Sequence, residues 1–372
     1  MAQILSESVL VRHEPLKVFV RQCLEHSGLS PAHALLVADS LVESNLRGID
    51  SHGTARLPHY LNRIHHGGIN PRPNLLYSRL GAAIGRLDAD HGLGQIAMAR
   101  AAEEAVSLAR ESGAGWVAIE NSSHCGALAY YGQQIARADM VGILFTHSDS
   151  MVVPHAARHA FCGTNPLCMI VPGDNPETTL CLDMATSVVP WNTIANAAME
   201  DVEIPRDWAV DAGGNPTTNP KDVRGVRPFG GYKGSDLGLM IDILCSFLVG
   251  SPSGPDIAPM YGDPGRKRLL GGLVGAIDIR RFRDVSAFRA AVSALAKRWN
   301  AQPVADPAEP VLFPGQPELH TRARRPAEGI PLGVNLVEIF QAIAKEKSIP
   351  WTLGGDFPSR GLRNPSDPAN IS

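Results

Sequence analysis

Apolar residues recur at helical spacing from near the start of the chain. Leu16, Phe19, Val20, Cys23 and Leu24 stand at i, i+3, i+4, i+7 and i+8, behind Pro15 and ahead of Gly28. One helix face carries all five, and the proline and glycine mark its limits. Ser30-Pro31 opens a second helix, whose Ala34, Val37, Ala38, Leu41 and Val42 form the next stripe before Gly48. A third helix carries Arg56 and stops near Gly67-Gly68. These three predict a helical subdomain over residues 1–80.

From about Gly81 the period changes. Short strand-like runs at 82–87, 116–119, 141–145, 167–171 and 179–182 alternate with helices or with glycine and proline turns. An alanine-rich helix is expected over 95–110, between the first two strands. Beyond Pro190 the chain is rich in Gly, Pro and Asn and reads as irregular as far as a helix at about 237–249. A strand at 273–279, a helix at 287–299 and a last helix at about 334–347 follow. The class is α/β, and Pro, Gly, Ser and Asn crowd a tail within 351–372.

Composition narrows the function. At 372 residues the chain buries substantial cores and divides into two domains. Its 44% hydrophobic and 19% charged residues are those of a globular protein. A net charge of −3, from 34 basic and 37 acidic residues, supplies no general field for nucleic acid or an anionic membrane. An anionic substrate must therefore be held by local arginine or lysine. The N-terminus has no basic, apolar leader pattern, and the 237–249 segment is too short to span a bilayer. The six cysteines form no C-x-x-C pair and no zinc spacing, so no metal is expected and a reducing, cytoplasmic setting is.

Two histidine motifs carry the candidate chemistry. Arg47-Gly48-Ile49-Asp50-Ser51-His52-Gly53 precedes a helix on which Arg56, His59 and Tyr60 follow His52 at spacings that share a face. Ser122-Ser123-His124-Cys125-Gly126 follows a strand. Either histidine alone is the ordinary polar surface residue; together they point to proton movement beside a small carboxylate. His59, His65, His66, His155 and His159 read as surface residues. Separately, Gly92-Leu93-Gly94-Gln95-Ile96-Ala97 fits G-x-G-x-x-A between a strand and a helix, with Glu120 ending the next strand. Against a dinucleotide site here, Glu120 lies further on than the usual ~20 residues, and Asp88 and Asp90 place negative charge beside the turn.

Taken together, these motifs resemble the malate/L-lactate dehydrogenase family over about residues 16–343. The resemblance rests on 47–53 with Arg56 and Tyr60, Ser123-His124-Cys125-Gly126-Ala127, Gly163-Thr164-Asn165-Pro166, Asp183-Met184-Ala185-Thr186-Ser187, Trp208-Ala209-Val210-Asp211 with Pro216-Thr217-Thr218, Gly230-Gly231-Tyr232-Lys233-Gly234, and Pro314-Gly315. Ser148-Asp149 with Met151-Val152-Val153-Pro154 is most similar to its ureidoglycolate dehydrogenases.

The resemblance implies a non-Rossmann α/β cofactor domain with a mixed sheet over 81–280. It also implies a helical domain built from 1–80 and a returning C-terminal part, 281–350. The partners it implies are a small carboxylate substrate and a second copy of the chain, as a homodimer or higher homo-oligomer. It implies NAD(P)-dependent hydride exchange with a 2-hydroxy/2-oxo acid of malate, lactate, ureidoglycolate or sulfolactate type. The alternatives are a cyclic imino-acid reductase and a catalytically weak relative that binds a carboxylate or nucleotide.

By position, His52 is implied as general acid/base polarised by Ser51, with His124 its rival or partner near the nicotinamide. Arg56 is implied as carboxylate clamp, and Tyr60 and Thr164 as substrate contacts. Gly126, Ser148, Asp183, Met184, Ala185, Tyr232, Lys233, Pro314 and Gly315 are implied cofactor contacts. A histidine near its ordinary pKa supplies the proton as imidazolium, and arginine grips a carboxylate bidentately. No Arg or Lys stands between Cys125 and Tyr131 to meet a 2′-phosphate, so NAD is expected over NADP. Two departures stand out. Thr193 replaces the acid that completes a Ser–His–Asp relay in some relatives, and Asp236 adds negative charge after Lys233.

Overall fold

The computed structural model describes residues 8–354; of the expected tail, 355–372 lies outside the described residues. The chain opens with strand β1 (Ser8–Val11), then helices α1 (His13–His26) and α2 (Pro31–Leu46). The stripe Leu16, Phe19, Val20, Cys23, Leu24 is buried, as its spacing requires. Ser30 Oγ caps α2 by accepting from the His33 amide. Helix α3 (Leu57–His65) follows two short 3-10 turns.

The central body is a seven-stranded mixed sheet. Its strands are β2 (Leu76–Arg79), β3 (Ile84–Asp88), β4 (Ala114–Ser122), β5 (Met140–Thr146), β6 (Leu167–Val171), β7 (Leu180–Met184) and β10 (Leu270–Asp278), in the order β2-β3-β4-β10-β5-β6-β7. Only β3 and β4 run parallel; β10 is antiparallel to both neighbours. Helices α4 (Gly94–Ser112) and α5 (Ala129–Arg137) cover one face. Ala97, Ala101, Ala102, Ala105 and Ala109 let α4 approach Val117, Ile119 and Val274 closely. Helix α7 (Tyr232–Ser246) covers the other face through Ile241 and Cys245 on Leu167. A small satellite core joins α6 (Trp191–Glu200) to the short pair β8 (Ala209–Val210) and β9 (Gly225–Val226). In the buried strand β10, Gly275 leaves room for the Trp116 ring, whose nearest atom would lie 2.4 Å from a Cβ there.

After α8 (Val285–Asn300) and α9 (Gln316–Glu328), strand β11 (Ile330–Gly333) pairs antiparallel with β1, and α10 (Val334–Glu346) completes the first core. Phe340 meets Phe19 at 5.3 Å between ring centroids, and Trp351 meets it at 5.7 Å. The C-terminal segment thus shares one core with the N-terminal helices.

Several local expectations change. Residues 76–79 pair with β3 and belong to the sheet rather than the helical part. Helix α8, placed by a boundary at 281 with the returning segment, is instead tied to the sheet body. Arg289 bonds Gly173 O at 2.7 Å and Asp139 at 2.7 Å, and Ser293 accepts from Asp174 N at 2.9 Å. The contacts to the helical body begin at α9, where Arg322 reaches Glu43 and Arg325 reaches Asp50. Helix α6 occupies a stretch that reads as irregular, because its capping by Pro190 is masked by the surrounding Gly, Pro and Asn.

The G-x-G turn does join β3 to α4, yet it is filled by the chain itself. The 123–125 loop lies across the start of α4: a Cβ on Gly94 would meet Ser123 O at 2.3 Å and Cys125 Cβ at 2.8 Å. Ser123 Oγ also donates to Gly92 O at 2.9 Å. Glu120 is gripped by Arg86 through both oxygens at 2.6 Å. The glycines therefore serve packing, and the acid is taken. A Gly94→Ala substitution is expected to cost about 1–3 kcal/mol, the usual scale of overpacking, and to displace the His124 loop. An unchanged urea midpoint would show that this contact has slack.

Candidate active site

Two consecutive 3-10 turns, Asp50–His52 and Thr54–Arg56, link α2 to α3. Buried Asn45 fixes them: its Oδ1 accepts from Thr54 N (2.8 Å) and Thr54 Oγ1 (2.9 Å), and its Nδ2 donates to Asp50 Oδ1 (2.6 Å). Asp50 is locked further by Arg325 at 2.7 and 2.8 Å. So braced, the turns hold Ser51, His52 and Arg56 beside the His124 loop. Ser51 Oγ lies 2.9 Å from His52 Nδ1, and the His52 and His124 rings stack at 5.6 Å.

His124 has a defined tautomer. Gln95 Nε2 donates to the Tyr60 hydroxyl (2.9 Å), which therefore gives its own proton to His124 Nδ1 (2.6 Å). The Gly126 N–H also points to Nδ1 (3.4 Å) and only donates. Nδ1 is thus an acceptor, and the ring proton of neutral His124 sits on Nε2. Tyr60 is fully buried, so its hydroxyl fixes the imidazole rather than meeting solvent.

Charge in the site is mostly positive. Arg56 gives Nη1 to the Tyr261 hydroxyl at 2.6 Å, and its buried Nε has no hydrogen-bond partner among the described residues. Burial and then Arg56 push His52 down to about 4. Burial, then His52, Arg56, Arg268 and His59, holds His124 well below the usual histidine range. His59, expected as a surface residue, lies against Tyr261 at 5.6 Å and is lowered to about 3 by burial and by Arg63, Arg56 and Arg268. Both shifts favour the neutral ring. Against the expectation of a ready imidazolium, the surrounding arginines and the scarcity of water disfavour the charged ring.

The remaining expected residues fall into two further groups. Ser148 Oγ accepts from Thr164 N (3.2 Å), and Thr164 O accepts from Thr186 N (2.8 Å) and Oγ1 (2.9 Å). Thr186 O in turn accepts from Phe229 N (3.0 Å), just before the turn that starts α7, where Tyr232, Lys233 and Asp236 are exposed. Asp183, Pro314 and Gly315 line a cavity of ≈360 Å³ with Arg47, Trp299, Phe313 and Glu318. Asp183 Oδ2 accepts from Ala129 N at 2.7 Å, yet loss of water raises its carboxyl to about 6, with Glu318 adding to the rise. Half-buried Met184 and Ala185 carry the chain from the cavity toward Thr186, and Gly126 turns with φ +73° directly after His124.

Two residues near the histidines escaped the sequence. Asn192 donates to Ser51 O at 3.2 Å and lies 3.5 Å from the Tyr261 hydroxyl. Neither belongs to a periodic or motif-bearing stretch, and the helix that presents Asn192 is itself hidden in the sequence. Thr193, where some relatives are expected to carry an acid, is half-buried on the same helix and bonds Pro190 O through its amide.

Comparison with known proteins agrees with this architecture. Residues 11–341 match the family described as malate/L-lactate dehydrogenase. The chain is 37% identical over 320 residues to the ureidoglycolate dehydrogenase (NAD(+)) of Escherichia coli O157:H7, covering 86% of this chain and 91% of that one. It is 32% identical over 346 residues to the malate/(S)-sulfolactate dehydrogenase of Methanothermus fervidus, covering 92% and 100%. The crystal structure of malate dehydrogenase from Entamoeba histolytica superposes with a TM-score of 0.88 at 26% identity, covering 93% and 99%. With its mixed seven-stranded sheet, its paired histidine motifs and these matches along nearly its whole length, the chain belongs to the malate/L-lactate dehydrogenase family.

Proposed function

We propose that this chain is a nicotinamide-dependent oxidoreductase that exchanges hydride with a small 2-hydroxy/2-oxo acid, NAD being the preferred coenzyme. The observation that carries the reading is the pair of stacked histidines beside an arginine whose hydrogen-bond partner, among the described residues, is a phenol. Arg56 grips the substrate carboxylate, and its charge is free to do so. His124 presents Nε2–H to the substrate oxygen and orients it. His52, polarised by Ser51, takes the hydroxyl proton in oxidation and returns it in reduction. Tyr60 holds His124, and Thr164 stands by as a substrate contact on the sheet side. A cyclic imino acid would use the same clamp and the same proton donor, which is why the substrate panel below includes one.

The Asp183 cavity fits the adenosine half of a dinucleotide: a carboxylate to accept from ribose hydroxyls, apolar walls, and room of ≈360 Å³. Bound there, the coenzyme would supply or accept the hydride. Asp183, Met184, Ala185, Pro314 and Gly315 would hold it, with Gly126, Ser148, Tyr232 and Lys233 along the rest of its length. Asp183 and Glu318 oppose a 2′-phosphate, and Arg47 is already paired with Glu43 at 2.9 Å. The six unbridged cysteines accord with a reducing, cytoplasmic setting. Exposed Leu239, Met240, Phe247 and Leu248 on and beside α7 form an apolar face that supports the homodimer reading. Among the described residues no helix is long and apolar enough to cross a membrane.

Three outcomes test the reading. First, NADH consumption is expected with at least one member of a panel of 2-oxo acids, ureidoglycolate (in the oxidative direction) and cyclic imino acids. His52→Ala should lower kcat by roughly 10²–10⁴-fold with little change in coenzyme affinity, while Arg56→Ala mainly raises KM. Full activity in His52→Ala with none in His124→Ala would move the proton transfer to His124. Cofactor binding without turnover across the panel would favour a binding protein.

Second, the low His52 pKa fixes the pH profile. Oxidation needs the unprotonated ring, so its kcat/KM should stay level from neutral pH downward and fall only as pH drops through about 4. An inflexion near pH 6.5 would mean that His52 is not the base.

Third, kcat/KM for NADH should exceed that for NADPH, and Asp183→Asn should raise the KM for NADH by about tenfold, the scale of one hydrogen bond to a charged group. Equal or better use of NADPH by the parent would overturn the coenzyme assignment.

A further inference from the structure

The loop between α7 and β10 is held from beneath by two buried arginines. Arg268, 2% exposed, pairs with Asp149 and gives Nε to Ala258 O at 3.0 Å, while Met260 N donates to the other Asp149 oxygen at 3.1 Å. Arg63, 1% exposed and one turn past Tyr60 and His59 on α3, reaches Asp263 O at 3.4 Å and also Arg266 O. Buried guanidinium groups are costly to leave unpaired, so these contacts anchor the loop firmly. What the anchored loop carries is Tyr261, a residue 49% exposed whose hydroxyl meets Arg56.

Hydrogen bonds continue from there. Tyr261 faces Asn192 Oδ1, Asn192 Nδ2 donates to Ser51 O, and Ser51 Oγ meets His52 Nδ1. One chain of contacts thus runs from the arginine to the histidine through residues of three separate elements. We propose that Tyr261 and Asn192 are positioning residues: Tyr261 aims the Arg56 guanidinium before substrate arrives, and Asn192 fixes that clamp relative to the Ser51–His52 turn.

The choice of groups explains why they suit the task. A carboxylate in the place of Tyr261 would orient Arg56 equally well, but it would neutralise the charge that the substrate needs. A phenol oxygen accepts the hydrogen bond and leaves the charge available. Arginine has many rotamers, and settling it beforehand removes that ordering cost from substrate binding. Asn192 acts in the same way at the other end, tethering the Ser51 carbonyl without bringing an acid beside His52. Thr193 stands next to Asn192 on the same helix, so α6 reaches the Ser51–His52 turn through a neutral group.

The inference rests on the reading in which Arg56 holds a carboxylate, and the test separates the two. Substrate kinetics and binding of oxamate, a 2-oxo-acid isostere, are measured on the NADH-loaded protein for Tyr261→Phe, Asn192→Asp, Arg56→Ala and the Tyr261→Phe/Arg56→Ala pair. Tyr261→Phe is expected to raise substrate KM and oxamate Kd about tenfold, as loss of a hydrogen bond to a charged group does, with kcat and the KM for NADH little changed. The double variant should bind no worse than Arg56→Ala alone. Asn192→Asp should move the acid limb of the oxidation profile upward by about one pH unit or more, the effect of a carboxylate near a histidine. Parental KM and Kd in Tyr261→Phe, with binding lost in Arg56→Ala, would overturn the positioning role and leave the site reading standing. A fall in kcat and thermal midpoint with KM unmoved would likewise assign Tyr261 to structure alone. Normal binding in Arg56→Ala would overturn the clamp itself.

Discussion

The Tyr60 hydroxyl is the contact on which the rest of the site depends. It belongs to α3 of the helical body, accepts a hydrogen bond from Gln95 at the start of α4, and donates one to His124 on the loop after β4. Tyr60 and Gln95 are fully buried, so water cannot substitute for either bond. Breaking one would strand a buried polar group, a penalty larger than the bond's net worth. This contact pins the two bodies in register where their histidines face each other, and it selects the His124 tautomer in the same stroke. Gly94 permits the arrangement, since only a residue without a side chain lets the His124 loop lie so close to α4.

The site is built from more positive charge than it neutralises. Arg268 has Asp149, but Arg63 bonds only backbone carbonyls among the described residues, and Arg56 bonds a phenol. Crowding cations with little water has a direct effect on the histidines, whose pKa values are pushed down. On the proposed reading, this arrangement gives an anion an electrostatic complement beside the groups that would accept its proton. An incoming carboxylate would relieve the repulsion and raise the affinity of the nearby rings for a proton.

How legible this was in the sequence depends on what kind of constraint was at work. The stripes of α1 and α2 are repeated burial on one helix face, and they read directly. Ser51-His52 with Arg56 and Tyr60 also reads directly, because one short segment carries them. Strand β2 and helix α6 do not: 76–79 is mostly exposed at the sheet edge, and α6 is dominated by its small satellite core. Tyr261 and Asn192 are invisible for a different reason. Their meaning lies in contacts across 205 and 141 residues, which no local spacing encodes. The G-x-G-x-x-A match shows the converse, a correct local reading (strand, glycine turn, helix) whose tertiary surroundings assign it to packing.

The pairing of β1 with β11 bears on how the molecule comes to exist. Leu16, Phe19 and Val20 leave the ribosome early, but Ile330, Leu332, Val337 and Phe340, which share their core, arrive more than three hundred residues later. At ~5–20 residues per second that is an interval of tens of seconds. During it the sheet body has every strand it needs once β10 emerges, whereas the helical body still lacks a wall. Closing so long a loop is modest in free energy, because its entropy grows only logarithmically with length, but the delay leaves the first apolar faces waiting. The architecture therefore orders its own assembly: the sheet first, the helical body last. In the newborn chain, the surface most exposed to chaperones and to mispairing is the apolar face of α1, where Phe19 waits for Phe340.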